Sequence, residues 1–282
     1  MPIERSRGLL DVITTVVIVL TCGVLLWANG DRIWPPSPPG VGAVVSLDGA
    51  AIKGDPEAPV ALVLFTDYQC PYCRRLEQET LPALIRDYVE PGKARLAVRH
   101  LPLTAIHPMA FGAAAVAVCA GAEGKFWELH DRFFEHQREL TEAKVAEFVR
   151  RVGLNPDEVE FKACVEGAGG TQVNRDRAIA RELGLSGTPA VAVGRVRRDG
   201  AIVATSVVRG ARPAGEFVQA IDDALEPNRP WAAWIAASVG LVGSLVAAVV
   251  VRRTRRLRAV PGASEISQRQ MSHRFPTTGG PG

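Results

Sequence analysis

The chain has 282 residues, 47% hydrophobic and 22% charged, a composition that excludes a disordered chain and allows one ordinary domain with extensions. Its net charge is +3 and the basic residues do not gather in the middle of the sequence, so no nucleic-acid-binding face is expected. Five cysteines stand at 22, 70, 73, 119 and 164, and for the four central ones the residues leave disulfides, a zinc site or reactive thiols open.

In chain order, residues 1–7 carry Arg5 and Arg7, and residues 8–28 hold the run VITTVVIVLTCGVLLWA. At 1.5 Å per residue such a run with its flanks crosses a hydrocarbon core of roughly 30 Å. Two other readings of it are a cleavable signal peptide cut at Ala28 and a lipoprotein modified at Cys22. Leu26 is poorly suited to the cut, and the apolar run continues past Cys22. Residues 29–42 form a Pro-rich linker, stiff and extended through Trp34-Pro35-Pro36-Ser37-Pro38-Pro39.

A domain is expected over 43–226. It starts with a short strand at Val44–Leu47 and a turn at Gly54–Pro59. Val60–Thr66 (VALVLFT) follows, a continuous apolar run of the kind found in a strand covered on both faces. A helix opens at Cys70 and reaches Val89 with a kink at Pro82, and Lys93–Leu101 reads as the next strand, giving a βαβ unit. Signals over about 105–184 are helical. They comprise Pro108–Ala120, Lys125–His136 with Phe126, Leu129 and Phe133 on one stripe, Ala143–Val152 opened by Thr141, a helix start at Asn155-Pro156-Asp157-Glu158, and Thr171–Leu183. Strands return at Ala190–Val196 and Ile202–Val208 around a turn at Asp199-Gly200, and Pro213–Leu225 closes the domain as a helix.

Residues 231–251 are uncharged and apolar, a second span, and Arg252, Arg253, Arg255, Arg256 and Arg258 follow it directly. The positive-inside rule puts that block, and by the same logic Arg5 and Arg7, in the cytoplasm. Residues 252–282 are then a cytoplasmic tail, basic at first and disordered beyond. Both termini are cytoplasmic, and the domain between the spans faces outward, with Trp27, Trp34, Trp231 and Trp234 near the outer interface.

Cys70-Pro71-Tyr72-Cys73 sits directly after the buried strand, at a helix start. Free N–H groups and the helix dipole stabilise a thiolate there, and such cysteines have pKa values of roughly 3.5–7.5. Pro71 suits a first-turn position. Cys70 is expected to be the exposed nucleophile and Cys73, deeper by one turn, the resolving thiol. Asp67, three residues before Cys70, is a candidate helix cap, with a proton relay to the buried thiol as the other reading. Thr188-Pro189, before a later strand, is expected to be cis.

The ordered set GDPEAPV, FTDYQCPYC, HPMAFGAAAVAVC, KFWELHD and GTPA resembles the DsbA-like branch of the thioredoxin superfamily across residues 43–226. The resemblance implies an α/β thioredoxin fold with an inserted helical domain, here flanked by two transmembrane helices. It makes Cys70 and Cys73 the redox pair and Thr188-Pro189 the cis-proline loop that holds substrate backbone beside the nucleophile. Tyr72 departs from the Pro-His of the family's strong oxidant. On an oxidising side of the membrane, Cys119 and Cys164 are expected to form a structural disulfide, with two buried free thiols as the rival reading. Their spacing argues against a four-cysteine zinc site, and His100, His130 and His136 lack metal-ligand spacing, so neither metal nor cofactor is expected. His107, before Pro108, reads as a cap.

The expected function is thiol–disulfide exchange with exported cysteine-containing proteins at the outer or periplasmic face of a bacterial cell membrane. The resemblance implies a membrane redox partner, either a quinone-linked oxidase or an electron donor. A membrane-tethered redox sensor or metal-binding chaperone using the same cysteine pair is the alternative.

Overall fold

The computed structural model describes residues 37–226 continuously, together with eight helical positions between 17 and 28. The remainder of both expected spans, with residues 1–7, 29–36 and the 252–282 tail, lies outside the described residues. Among the described residues, no helix is long and apolar enough to cross a membrane. Contacts divide the chain after Pro227, and the architecture below is that of the first unit.

Strand β3 (Val60–Thr66) is buried at all seven positions, as its continuous apolar run requires. It pairs in parallel with β4 (Ala94–His100) and antiparallel with β5 (Ala190–Val196), with Thr66 opposite His100 and Phe65 opposite Ala190. β5 pairs antiparallel with β6 (Ile202–Arg209), to which β1 (Val44–Val45) adds at one edge. β2 (Ala51–Lys53) adds antiparallel to β4 at the other, giving the order β1-β6-β5-β3-β4-β2. β2 was not expected. Three residues of mixed character carry no periodic signal, and only their pairing with Leu96–Val98 makes them a strand. Where β5 bulges at Val193/Gly194, a Cβ on Gly194 would run into the Val203 carbonyl, so glycine is required.

The sheet is covered on both faces, as alternation along β3 dictates. Val60, Leu62 and Leu64 join one core with Leu76, Leu81, Phe217 and Ile221, while Ala61, Val63 and Phe65 join another with Val45, Ala180, Leu183 and Ile202. The helix after β3 is broken into α1 (Pro71–Arg75) and α2 (Leu81–Leu84) by π turns at Leu76–Thr80 and Ile85–Val89. Pro82 cannot donate to the carbonyl four residues back, and the π turn before it relieves that break: Leu81 N–H reaches back five residues to Leu76. The kink expected at Pro82 is therefore a pair of π turns.

Between β4 and β5 lies the helical insertion: α3 (Ala110–Ala122), α4 (Phe126–Glu135), α5 (Glu142–Arg151), α6 (Val159–Cys164) and α7 (Gly170–Glu182). Thr141 opens α5 as expected, its hydroxyl accepting the Lys144 N–H at 3.3 Å. The start expected at Asn155 falls later, at Val159, because the Asn155 side chain accepts the Asp157 N–H in a local turn instead. Helix α8 (Ala214–Leu225) ends the unit.

Cys119 and Cys164 are joined in a disulfide that ties α3 to the end of α6, with Cα atoms 6.0 Å apart and a sequence separation of 45. A Cβ on Gly169 would stand 2.7 Å from the Ala115 carbonyl and 2.9 Å from Cys119 Sγ, so the following turn packs against the bridge without room for a side chain. Replacing both cysteines with Ala is expected to cost about 2–4 kcal/mol, measured as a lower denaturation midpoint with the dithiol intact. A loss under about 0.5 kcal/mol would mean that packing alone holds α3 against α6.

Candidate active site

Strand β3 delivers the chain to a tight loop, Asp67–Cys70, and Cys70 becomes the N-cap residue of α1 in an extended conformation. Pro71 occupies the first helical position, where the missing N–H costs nothing, and the Arg74 N–H bonds to the Cys70 carbonyl at 3.2 Å. Cys70 and Cys73 are free thiols and both are buried. Here the structure corrects the expectation of an exposed nucleophile. Cys70 is 3% exposed because the Thr188 carbonyl lies 3.4 Å from its Sγ and covers it, whereas Pro71 and Tyr72 stand in solvent. The Thr188-Pro189 peptide is cis, as expected, and places that carbonyl against the sulfur.

The two thiols are held in opposite protonation states. The Cys73 side chain, then Thr188, then the backbone N–H groups of Cys73 and Tyr72 stabilise the Cys70 thiolate and bring its pKa down to about 6 against the opposition of burial. Burial raises Cys73 well above its ordinary value, and the neighbouring Cys70 raises it further. In the reduced protein, alkylation of the pair by iodoacetamide should fall on Cys70 and spare Cys73. Its rate should rise about tenfold per pH unit below pH 6 and flatten above it, as mass spectrometry would follow. Between pH 6 and about 8.5 the unfolded chain keeps the proton that folded Cys70 has released. Raising the pH through that window therefore stabilises the reduced protein relative to the oxidised one, and below pH 6 the advantage disappears. A midpoint near 8.5 would contradict this assignment.

Asp67 neither caps α1 nor touches a thiol. Its Oδ1 accepts the Gln69 N–H at 2.7 Å, while Oδ2 accepts the Leu103 N–H at 2.8 Å and lies 2.8 Å from His107 Nδ1. A carboxylate with two oxygens meets three partners in one buried turn, so it pins the active-site loop to the segment after β4. His107 is therefore a partner of Asp67, and α3 begins three residues later.

Several residues that hold the loop were not singled out from sequence. Gln137, in a 3₁₀ turn after α4, donates its amide N–H to the Cys70 carbonyl at 2.9 Å, and Gln69 accepts the Met109 N–H at 2.7 Å. The insertion thus grips the backbone of Cys70 itself. The buried Tyr68 hydroxyl lies 3.0 Å from His130 Nδ1, whose Nε2 lies 3.1 Å from Glu77. Burial above all, then Glu77 and Asp131, keeps the Tyr68 phenol protonated. Burial likewise brings His100, packed on Tyr68, down to about 3 and so keeps it neutral. The amphipathic stripe of α4 points to Phe133, but nothing local marks the polar His130 beside it as a core group. Cys119 and Cys164 bond to each other, which rules out a four-cysteine zinc site.

A central strand leading into a helix-start dithiol, with a cis-proline loop laid over the first sulfur, defines the class of thioredoxin-fold proteins. The chain belongs to the thioredoxin family, whose model matches residues 47–209. In fold, the chain is similar to BdbD from Bacillus subtilis, with a TM-score of 0.57 at 19% identity, covering 67% of this chain and 100% of that one. Among solved structures, the chain is also similar in fold to alpha-DsbA1 of Wolbachia pipientis, with a TM-score of 0.55 at 18% identity, covering 65% of this chain and 94% of that one. In sequence, it is 28% identical over 146 residues to a probable disulfide bond formation protein D of Bacillus cereus, covering 50% of this chain and 68% of that protein. It is 38% identical over 157 residues to the Na(+)/H(+) antiporter NhaA 3 of Salinispora tropica, covering 55% of this chain and 23% of the antiporter. The chain spans only 23%, 28% and 34% of the length of three such curated relatives.

Proposed function

We propose that this protein is a thiol–disulfide oxidoreductase acting on exported cysteine-containing proteins, anchored at the outer face of a bacterial membrane. The observation that carries the reading is the asymmetry of the pair: Cys70 near pKa 6 beneath Thr188, and Cys73 buried with its proton retained. In the reducing direction the Cys70 thiolate attacks a substrate disulfide, forming a mixed disulfide and releasing one substrate thiolate. Cys73 then loses its proton and attacks the Cys70 sulfur. The Cys70–Cys73 disulfide forms and the second substrate thiol leaves, so two electrons pass from the pair to the substrate. Run backwards, the same steps oxidise a substrate dithiol.

Support for the location comes from the arginines after residue 251 and before residue 8, and from the Cys119–Cys164 bridge, which suits an oxidising space. A membrane partner, either a quinone-linked oxidase or an electron donor, would then reset the pair.

The deciding experiment is the equilibrium of the pair with glutathione. A His between the cysteines adds a cation that stabilises the reduced thiolate, and Tyr72 adds none. The potential should therefore lie below the about −120 mV of DsbA. A value as high as DsbA's would overturn that expectation, and a pair that fails to exchange with glutathione would overturn the function.

A further inference from the structure

We propose that the site prefers substrates with acidic side chains beside the reacting cysteine. The inference rests on the thiol–disulfide reading and names the substrate class of that same site. A groove of about 320 Å³ runs along the cis-proline loop, walled by Ser186, Gly187, Thr188 and Pro189 and closed by Arg209 and Gly210. The Arg209 guanidinium is tied to the Pro39 carbonyl at 2.8 Å and to the Leu183 carbonyl at 3.4 Å. These carbonyls, with that of Val207 at 3.5 Å, are neutral, so they fix its position without cancelling its charge. A preorganised guanidinium loses little freedom when it meets a carboxylate.

On the dithiol side of the site, Arg74 and Arg75 follow Cys73 directly and close α1. The Arg75 guanidinium lies 5.6 Å from the centre of the Tyr72 ring, which keeps a cation at the exposed turn of the dithiol loop. Arg74, Arg75 and Arg209 have no carboxylate partner among the described residues. Nearby acids are committed elsewhere: Glu77 meets His130 at 3.1 Å, Glu216 meets Arg212 at 2.9 Å, and Asp67 is buried against His107. Exposed Glu79 and Glu182 are carboxylates of this region that have no such partner among the described residues. A peptide that lies on Thr188-Pro189 with its sulfur at Cys70 therefore meets Arg209 in the groove, and the helix turn that carries the dithiol ends in Arg74 and Arg75. The sequence hides this, because Arg209 lies 134 positions after Arg75 and the charge gathers only through the fold.

The test uses the full-length reduced protein and two short Gly/Ser peptides, each with one cysteine held as a mixed disulfide with uncharged mercaptoethanol. One peptide has Asp and the other Lys on both sides of the cysteine, and single-turnover exchange is followed by stopped flow. At low ionic strength the acidic peptide should react about tenfold faster, since an exposed pair is worth up to about fivefold and more than one is available. High salt should erase the difference. Arg75→Glu should reduce or invert the preference, and Arg209→Gln, checked for fold by circular dichroism, should lower it several-fold. Equal rates for the two peptides would overturn the preference while leaving the exchange function standing. Absence of exchange with both peptides would instead overturn the function.

Discussion

Cys70→Ser should lose disulfide-exchange activity by on the order of a thousandfold or more, because a serine hydroxyl stays protonated where the thiol ionises near pH 6. Cys73→Ser should fail differently. Cys70 would still attack, but with no thiol beneath it the mixed disulfide would persist, and substrate would remain attached on a non-reducing gel. The contrast separates roles that a simple loss of activity would not. Insulin reduction gives the rate, and mass spectrometry gives the trapped adduct. If Cys70→Ser kept a tenth of the activity, or if adducts accumulated on Cys73 in Cys70→Ser, the assignment of nucleophile and resolving thiol would be wrong.

A comparable effect, on stability rather than activity, is expected at Arg99. Its guanidinium is fully buried and contacts Asp176 at 2.5 Å, the Ser46 carbonyl at 2.6 Å and the Asp48 carbonyl at 2.9 Å. Asp176 also accepts the His100 backbone N–H at 2.9 Å and the Gln172 amide at 2.8 Å. Burial nevertheless holds the Asp176 carboxyl above its ordinary value, with Arg99 and the hydrogen bonds pulling the other way. Removing one partner from such a pair leaves a buried charge uncompensated, so Arg99→Met should cost about 3–5 kcal/mol by chemical denaturation. Arg99→Met with Asp176→Leu should recover much of that loss, since the pair's net value against apolar packing is small. If the single variant lost less than about 1 kcal/mol, water would have to reach Asp176. The pair joins β4 to α7, the helix that leads into the Thr188-Pro189 loop, so the single variant should also slow exchange.

The sequence carried much of this site because its signals are local. VALVLFT is too apolar for anything but a central strand, and a Cys-Pro after a short loop is a helix start. Ala190–Val196 then provides a strand for Thr188-Pro189 to precede. What stayed hidden depends on partners far along the chain. Arg99 looks like an ordinary polar position in KARLAVRHL, and nothing near it indicates Asp176, 77 residues on. Gln137 lies 67 residues from the carbonyl it holds, in a short turn without periodicity. Asp67 was misread for the opposite reason: an acid three residues before a helix has a plausible local use, and the loop after β4 outbid it with two further donors. The thiol's exposure was misread in the same way, because only the fold brings Thr188 over Cys70.

The pairing of β3 with β5 also bears on biogenesis. Phe65 and Ala190 are neighbours in the sheet yet 125 positions apart in the chain. Contacts of that separation form late, since a long loop must close first. As the polypeptide emerges in order, Cys70, Cys73 and Cys119 are all in place before Cys164 is available to pair. For that interval, in the oxidising space proposed for it, a nascent chain carries Cys22 and three domain thiols and no finished site. Maturation of the domain is thus open to misjoined bridges until Cys164 arrives to close the Cys119–Cys164 pair.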